Sequence, residues 1–185
     1  MQEKKIIIGL DLSLAKTGFC ILDQCGKVLD SGIIKSKPSG DMPINETKRI
    51  VKIAEDIIEK INKFLPINNP AIIMIENLAF MARNTAALTQ LAGLNHLVRI
   101  LLNKTKWPWI LVAPCSLKKF ITGSGRGDKD QMMMHVYKNY GFESMDNNEC
   151  DAYSLAVCGL AVLEKPIKKL GVPQKEVINL LKKQL

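Results

Sequence analysis

The feature that most constrains this chain is a short run near its start, Ile6-Ile7-Ile8-Gly9-Leu10-Asp11. Apolar, β-branched residues without polar alternation mark a central strand covered on both faces. Asp11 breaks the run and is followed by Leu12. A bare carboxylate at the end of a buried strand loses most of its hydration, and a metal ion is the natural compensation. The arrangement recurs at Ala71-Ile72-Ile73-Met74-Ile75, which ends in Glu76. Two apolar strands, each ending in an acid, predict an α/β sheet with a site at its strand ends.

The rest of the chain supplies the covering layers. Three strands are expected in a meander over 5–12, 17–23 and 27–35. The link Ser13-Leu14-Ala15-Lys16 is too short for a crossover helix, so these strands pair antiparallel. Ile50, Ile53, Ala54, Ile57, Ile58 and Ile61 recur at helical spacing, predicting a helix over 45–64. The strand at 71–75 then lies beside the first through a β-α-β crossover. An apolar helix over 85–103, a fifth strand at 109–112 and a short helix from Pro114 to Phe120 follow. Beyond a Gly-rich loop at 122–127, Asp128 caps a helix to Tyr140, and Asn147 or Asn148 opens another to Leu163. Residues 1–164 read as one domain, and 165–185 as a basic helical tail.

Composition narrows the function class. The net charge of +8 and pI near 9.3 favour a polyanionic partner. No apolar run approaches the length of a membrane span, and the N-terminus lacks a signal peptide's apolar stretch. The five cysteines include no Cys-x-x-Cys pair, so reduced thiols in the cytoplasm are expected and a zinc site is not.

Three further groups carry chemistry. Asp151 lies in Asn148-Glu149-Cys150-Asp151-Ala152. It completes a helix cap three residues after Asn148, or it is delivered with Glu149 to Asp11 and Glu76 as a third acid. The residues leave both open. Hard cations such as Mg²⁺ take such oxygens, and two of them serve phosphodiester cleavage. Lys129 stands at a helix start, where the dipole disfavours a cation, and Lys118 stands at the other end of the Gly-rich loop. Lys119 and Arg126 add candidate phosphate contacts. Phe80 is either a core lid or a wedge between bases. Met132-Met133-Met134 reads as a buried helix face.

These residues taken together resemble the RuvC family of Holliday junction resolvases. The matching stretches are Gly9–Gly18 (GLDLSLAKTG), Ile75–Asn84 (IENLAFMARN), Lys118–Lys129 (KKFITGSGRGDK) and Asn148–Ala156 (NECDAYSLA). The resemblance implies an RNase H-like fold with a five-stranded mixed sheet in the order 3-2-1-4-5 and helices on both faces. It implies a homodimer that cuts four-way DNA junctions by symmetric paired nicks, with two Mg²⁺ or Mn²⁺ ions per site. Asp11, Glu76 and Asp151 look like the family's metal-binding acids, and Lys118 and Lys129 like its catalytic or phosphate-binding lysines. Phe80 looks like its junction-opening aromatic, with Arg83 and Asn84 contacting DNA beside it. The family places an acid or a histidine where this chain has Asn148, so Asn148 through its amide oxygen, or Glu149, is the expected fourth ligand. A phage- or virus-type member is one reading, and it widens the substrates to three-way and flap DNA. The protein is expected in the cytoplasm of a bacterial or phage-infected cell. Two other classes compete. An actin-like ATPase needs a second phosphate motif and a larger second lobe than 185 residues allow. A catalytically dead RNase H-like DNA-binding module is disfavoured by the presence of all three acids.

Overall fold

The computed structural model describes residues 5–38, 40, 42–64, 71–78, 85–125 and 129–185. Among them, β1 (Ile6–Asp11), β2 (Lys16–Leu22), β3 (Val28–Lys35), β4 (Ala71–Glu76) and β5 (Trp109–Val112) form one sheet in the order β3-β2-β1-β4-β5. The pairs β1–β2 and β2–β3 are antiparallel, while β1–β4 and β4–β5 are parallel. Strand order and pairing match the expectation.

Strand alternation sorts the core into two layers. Ile6, Ile8 and Leu10 of β1 and Ile73 and Ile75 of β4 face α1 (Pro43–Asn62) and α2 (Thr85–Thr105). Ile7, Ile72 and Met74 face the opposite layer. That layer holds α3 (Pro114–Thr122), α4 (Lys129–Tyr140), α5 (Asn147–Val162) and α6 (Val172–Lys182). Helix α1 buries Ile53, Ala54, Ile57 and Ile61, the stripe its spacing predicts. It begins two residues earlier than expected, because Pro43 occupies the first turn, where its fixed φ is already helical and no N–H is missed.

Helix α5 is the centre of its layer. Every residue from Cys150 to Val162 except Asp151 is buried, so the helix is apolar nearly all round and packs on β1, β2 and β4. Its cap differs from the expectation. Asp146, in an extended conformation, accepts the Asn148 N–H at 3.0 Å, so Asp146 is the N-cap and Asn148 lies inside the first turn. Asp151 is therefore one turn into the helix and has no part in the cap. The Met132–Met134 run also differs: Met132 is buried, but Met134 is exposed on the far side of α4. Helix α6 buries Val177, Ile178 and Leu181 in the core shared with α3 and α5. Beyond it, Gln184 accepts from the Leu111 N–H and donates to the Leu111 carbonyl, closing part of β5's open edge. All five cysteines are free thiols, with Cys20, Cys150 and Cys158 buried. Among the described residues, no helix is long and apolar enough to cross a membrane.

Candidate active site

Alternation fixes where the two strand-end acids point. Asp11 follows Ile7 and Gly9 in step, and Glu76 follows Ile72 and Met74, so both carboxylates face the α5 layer. The parallel register pairs Leu10 with Ile75, which sets Asp11 and Glu76 side by side at the carboxyl end of the sheet. Asp11 is only 8% exposed.

Two glycines let α5 close on this end. A Cβ on Gly9 would stand 1.9 Å from the Ala152 carbonyl oxygen, and one on Gly18 would stand 1.9 Å from that of Asn148. The first turns of α5 thus rest directly on the backbone of β1 and β2. At about 100° per residue, positions 148 and 151 share one helix face and position 149 turns away. Asn148 and Asp151 accordingly join Asp11, Glu76 and Lys118 in lining one open cleft of about 580 Å³. Leu12, Leu14, Leu88 and Leu91 supply its apolar flank.

The same geometry turns Glu149 away from the cleft. Its carboxylate accepts from Ser31 Oγ and from Ser144 Oγ, each at 2.7 Å, and it does not line the cleft. Asn148 remains in place. Its Nδ2 donates to the Lys16 carbonyl, an atom that only accepts, so Oδ1 is left as the amide's acceptor. Lys119 is also turned away: one residue from Lys118 on α3, it pairs with Glu176 of α6 at 2.6 Å. Phe80, Arg83, Asn84 and Arg126 lie outside the described residues, and of Lys129 the structure describes only the backbone position at the start of α4.

Several contributors escaped the sequence reading. Arg49 of α1 donates to the Leu14 carbonyl and, at 2.9 Å, to Ser36 Oγ, which braces the turn at the cleft rim. Asn95 of α2 is 1% exposed at the cleft wall, and its Nδ2 has no hydrogen-bond partner. On a helix surface an asparagine carries no signal of that role. Asp146 pairs with Lys16 at 3.0 Å. Partial burial pushes its carboxyl up, but the Lys16 and Asn148 hydrogen bonds and the charges of Lys16 and Lys35 outweigh this and hold it below its ordinary value.

The donors fit a hard divalent cation. They are the carboxylate oxygens of Asp11, Glu76 and Asp151 and the amide oxygen of Asn148. The acids share one cleft without closing into a compact shell: among the described residues no three Asp, Glu, His or Cys side chains converge tightly enough to hold an ion by themselves.

Comparison with known proteins finds relatives over most of the chain. The family model described as crossover junction endodeoxyribonuclease RuvC matches residues 7–159. A protein of that name from Synechococcus sp. (strain WH7803) is 28% identical over 159 residues, covering 83% of this chain and 96% of the relative. Its counterpart from Prochlorococcus marinus (strain MIT 9211) is 29% identical over 169 residues, covering 89% and 99%. Among solved structures, Thermus thermophilus RuvC aligns with a TM-score of 0.66 at 16% identity, over 86% of this chain and 97% of that one. The yeast mitochondrial Holliday junction resolvase Ydc2 aligns with a TM-score of 0.57 at 13% identity, over 97% and 84%. Both are likenesses of fold, and they agree with the RNase H-like architecture expected from the sequence.

Proposed function

The chain belongs to the RuvC family of crossover junction endodeoxyribonucleases, and from that premise we propose how its cleft works. The protein is a metal-dependent nuclease that resolves Holliday junctions. One observation carries the site assignment: Asp11, Glu76, Asp151 and Lys118, drawn from four elements, line a single cleft. In this reading Asp11, Glu76 and Asp151 are the metal ligands and Asn148 Oδ1 is the fourth. Mg²⁺, as a pair of ions, is the proposed cofactor, with Mn²⁺ able to replace it. When bound, the ions supply Lewis acidity to the scissile phosphate and lower the pKa of the attacking water.

The chain's own residues do the rest. The enclosed Asp11 carboxylate fixes the inner edge of the site. Lys118, in the same cleft, neutralises charge on the phosphate, and Lys129 joins it from the start of α4. The apolar flank of Leu12, Leu14, Leu88 and Leu91 limits water around the acids and raises the worth of each charge there. Two copies acting as a homodimer would place two such clefts on one junction, which paired symmetric nicks require. Phe80 is the proposed wedge that opens the junction centre, and Arg83, Asn84 and Arg126 are proposed backbone contacts. Three-way and flap DNA are alternative substrates of the same cleft.

Asp11→Asn tests the reading. It should abolish nicking of a four-way junction and leave junction binding intact, because the basic surface remains. Chelating the divalent ions should have the same effect on the wild type. Normal nicking by Asp11→Asn would sink the ligand assignment.

A further inference from the structure

The acids of the cleft leave two charged side chains at this end of the sheet unused. Lys16 opens β2 and Lys35 closes β3, and the register sets them directly opposite one another. Like charges facing across an antiparallel pair oppose folding. Only one carboxylate stands between them within the described residues: Asp146 Oδ2 meets Lys16 Nζ at 3.0 Å and also feels the charge of Lys35. That carboxylate already caps α5, whose N-terminus adds positive potential of its own. The two lysines thus outnumber the one carboxylate that pairs with them, and Glu149, the other acid of this turn, is bonded to Ser31 and Ser144.

Alternation places both lysines on the face that carries the acids. Gly18, two residues after Lys16, lies under Asn148, and Ser31, four residues before Lys35, meets Glu149. They also stand at the same end of the sheet, since Asp11 pairs with Gly18 and Gly18 with Ile33. At about 4.8 Å between strands, β3 is roughly 10 Å from β1. Lys37, two residues beyond Lys35 and exposed, prolongs the line after the Ser36 N–H bonds to the Ala15 carbonyl. A strand of nucleic acid lying in the cleft and leaving it across β2 and β3 would carry its next phosphates over these ammonium groups.

We propose that Lys16 and Lys35 form a phosphate-binding rung beside the active cleft, gripping the backbone of the DNA strand that runs through it. The inference rests on the nuclease reading and adds two contacts that the reading does not contain. The rung contacts phosphate alone, so it adds affinity without sequence preference. It also explains why the like-charged pair is kept: bound phosphate removes the repulsion that the free protein carries.

The test is the salt dependence of binding, measured with the full chain in chelator on a labelled four-way junction and on a linear duplex of the same arm sequence. Each of Lys16→Ala and Lys35→Ala should lower the slope of log affinity against log salt by about 1, and the double variant by about 2, on both DNAs. The melting temperature of Lys35→Ala should hold or rise, since repulsion is relieved, whereas Lys16→Ala also gives up the exposed ion pair with Asp146 and should fall by no more than the small worth of such a pair. Lys52→Ala, on α1 at the opposite face and paired with Asp56, serves as the control with an unchanged slope. Wild-type slopes for Lys16→Ala and Lys35→Ala would overturn the rung. Absence of junction nicking by the wild type with metal would instead overturn the nuclease reading, and the duplex slopes would still judge the rung.

Discussion

Gly18→Ala is the most searching test of how this site is built. The new methyl would sit 1.9 Å from the Asn148 carbonyl oxygen, 2.4 Å from its carbon and 3.0 Å from the Glu149 nitrogen. Real Cβ atoms essentially never approach closer than 3.0 Å, so going from 1.9 to 3.0 Å displaces the first turn of α5 by at least 1.1 Å. The obstruction is backbone on both sides, and no rotamer relieves it. Overpacking of this kind costs about 1–3 kcal/mol, or about 2–12 °C in melting temperature for a domain of this size. The larger effect falls on chemistry. Asn148 moves directly and Asp151 moves with its helix, and a misplacement of about 1 Å costs on the order of 10²-fold in rate. Junction nicking at saturating enzyme, beside a calorimetric melt, measures both. Gly93→Ala is the matched control: its Cβ meets only Ile50 Cδ1 at 3.7 Å, and in a helix interior the change should add about 0.8–1 kcal/mol. Near-normal nicking by Gly18→Ala would show that contact of α5 with β2 does not set the site.

Other outcomes follow from single side chains. Asp151→Asn should remove nicking with the melting temperature unchanged or raised, since the cap belongs to Asp146; retained activity would return Asp151 to a structural role. Asp146→Ala should cost about 1 kcal/mol of stability as a lost cap. Because its folded carboxyl titrates below the ordinary 3.8, the contribution is full above that pH and fades as pH falls through the lower folded value. The variant's acid unfolding limb should therefore be flatter than the wild type's, and parallel limbs would refute the pairing with Lys16. Among the five thiols, Cys25 and Cys115 should react quickly with a disulfide reagent and the other three only on unfolding, since Cys20, Cys150 and Cys158 are buried. Burial also pushes the Cys150 thiol up to about 12, with the charges of Asp151 and Glu149 adding to it. More than two fast thiols would contradict that burial.

Much of this architecture was legible because β-strand burial writes itself plainly. Ile6–Asp11 and Ala71–Glu76 announce themselves as parallel neighbours, and their terminal acids follow from the pleat. The start of α5 was harder to read, because Asp146, Asn147 and Asn148 are all good caps and only the backbone decides among them. That choice shifts the helix phase, and the phase in turn separates Asp151 in the cleft from Glu149 on Ser31. Lys118 and Lys119 pose the same problem: adjacent helix positions face about 100° apart, and the partner that claims Lys119 is 57 residues away. Gly9 and Gly18 act through an absence of side chain, which has no meaning until the helix that fills the space is in place. Asn95 and the Lys16–Lys35 pair needed the register before their surroundings could be known.

The burial of α5 bears on when the protein becomes dangerous to DNA. Asp11 and Asp151 are 140 positions apart, and the helix carrying the second has no face it can leave in water. Its floor is β1, β2 and β4, so its docking closes a long loop, which is expected late in folding. A nascent or partly unfolded chain can hold its first two acids together without the third. With Asp151 as the proposed third ligand, cutting competence would be tied to completion of the fold, and an unfinished molecule would be inert.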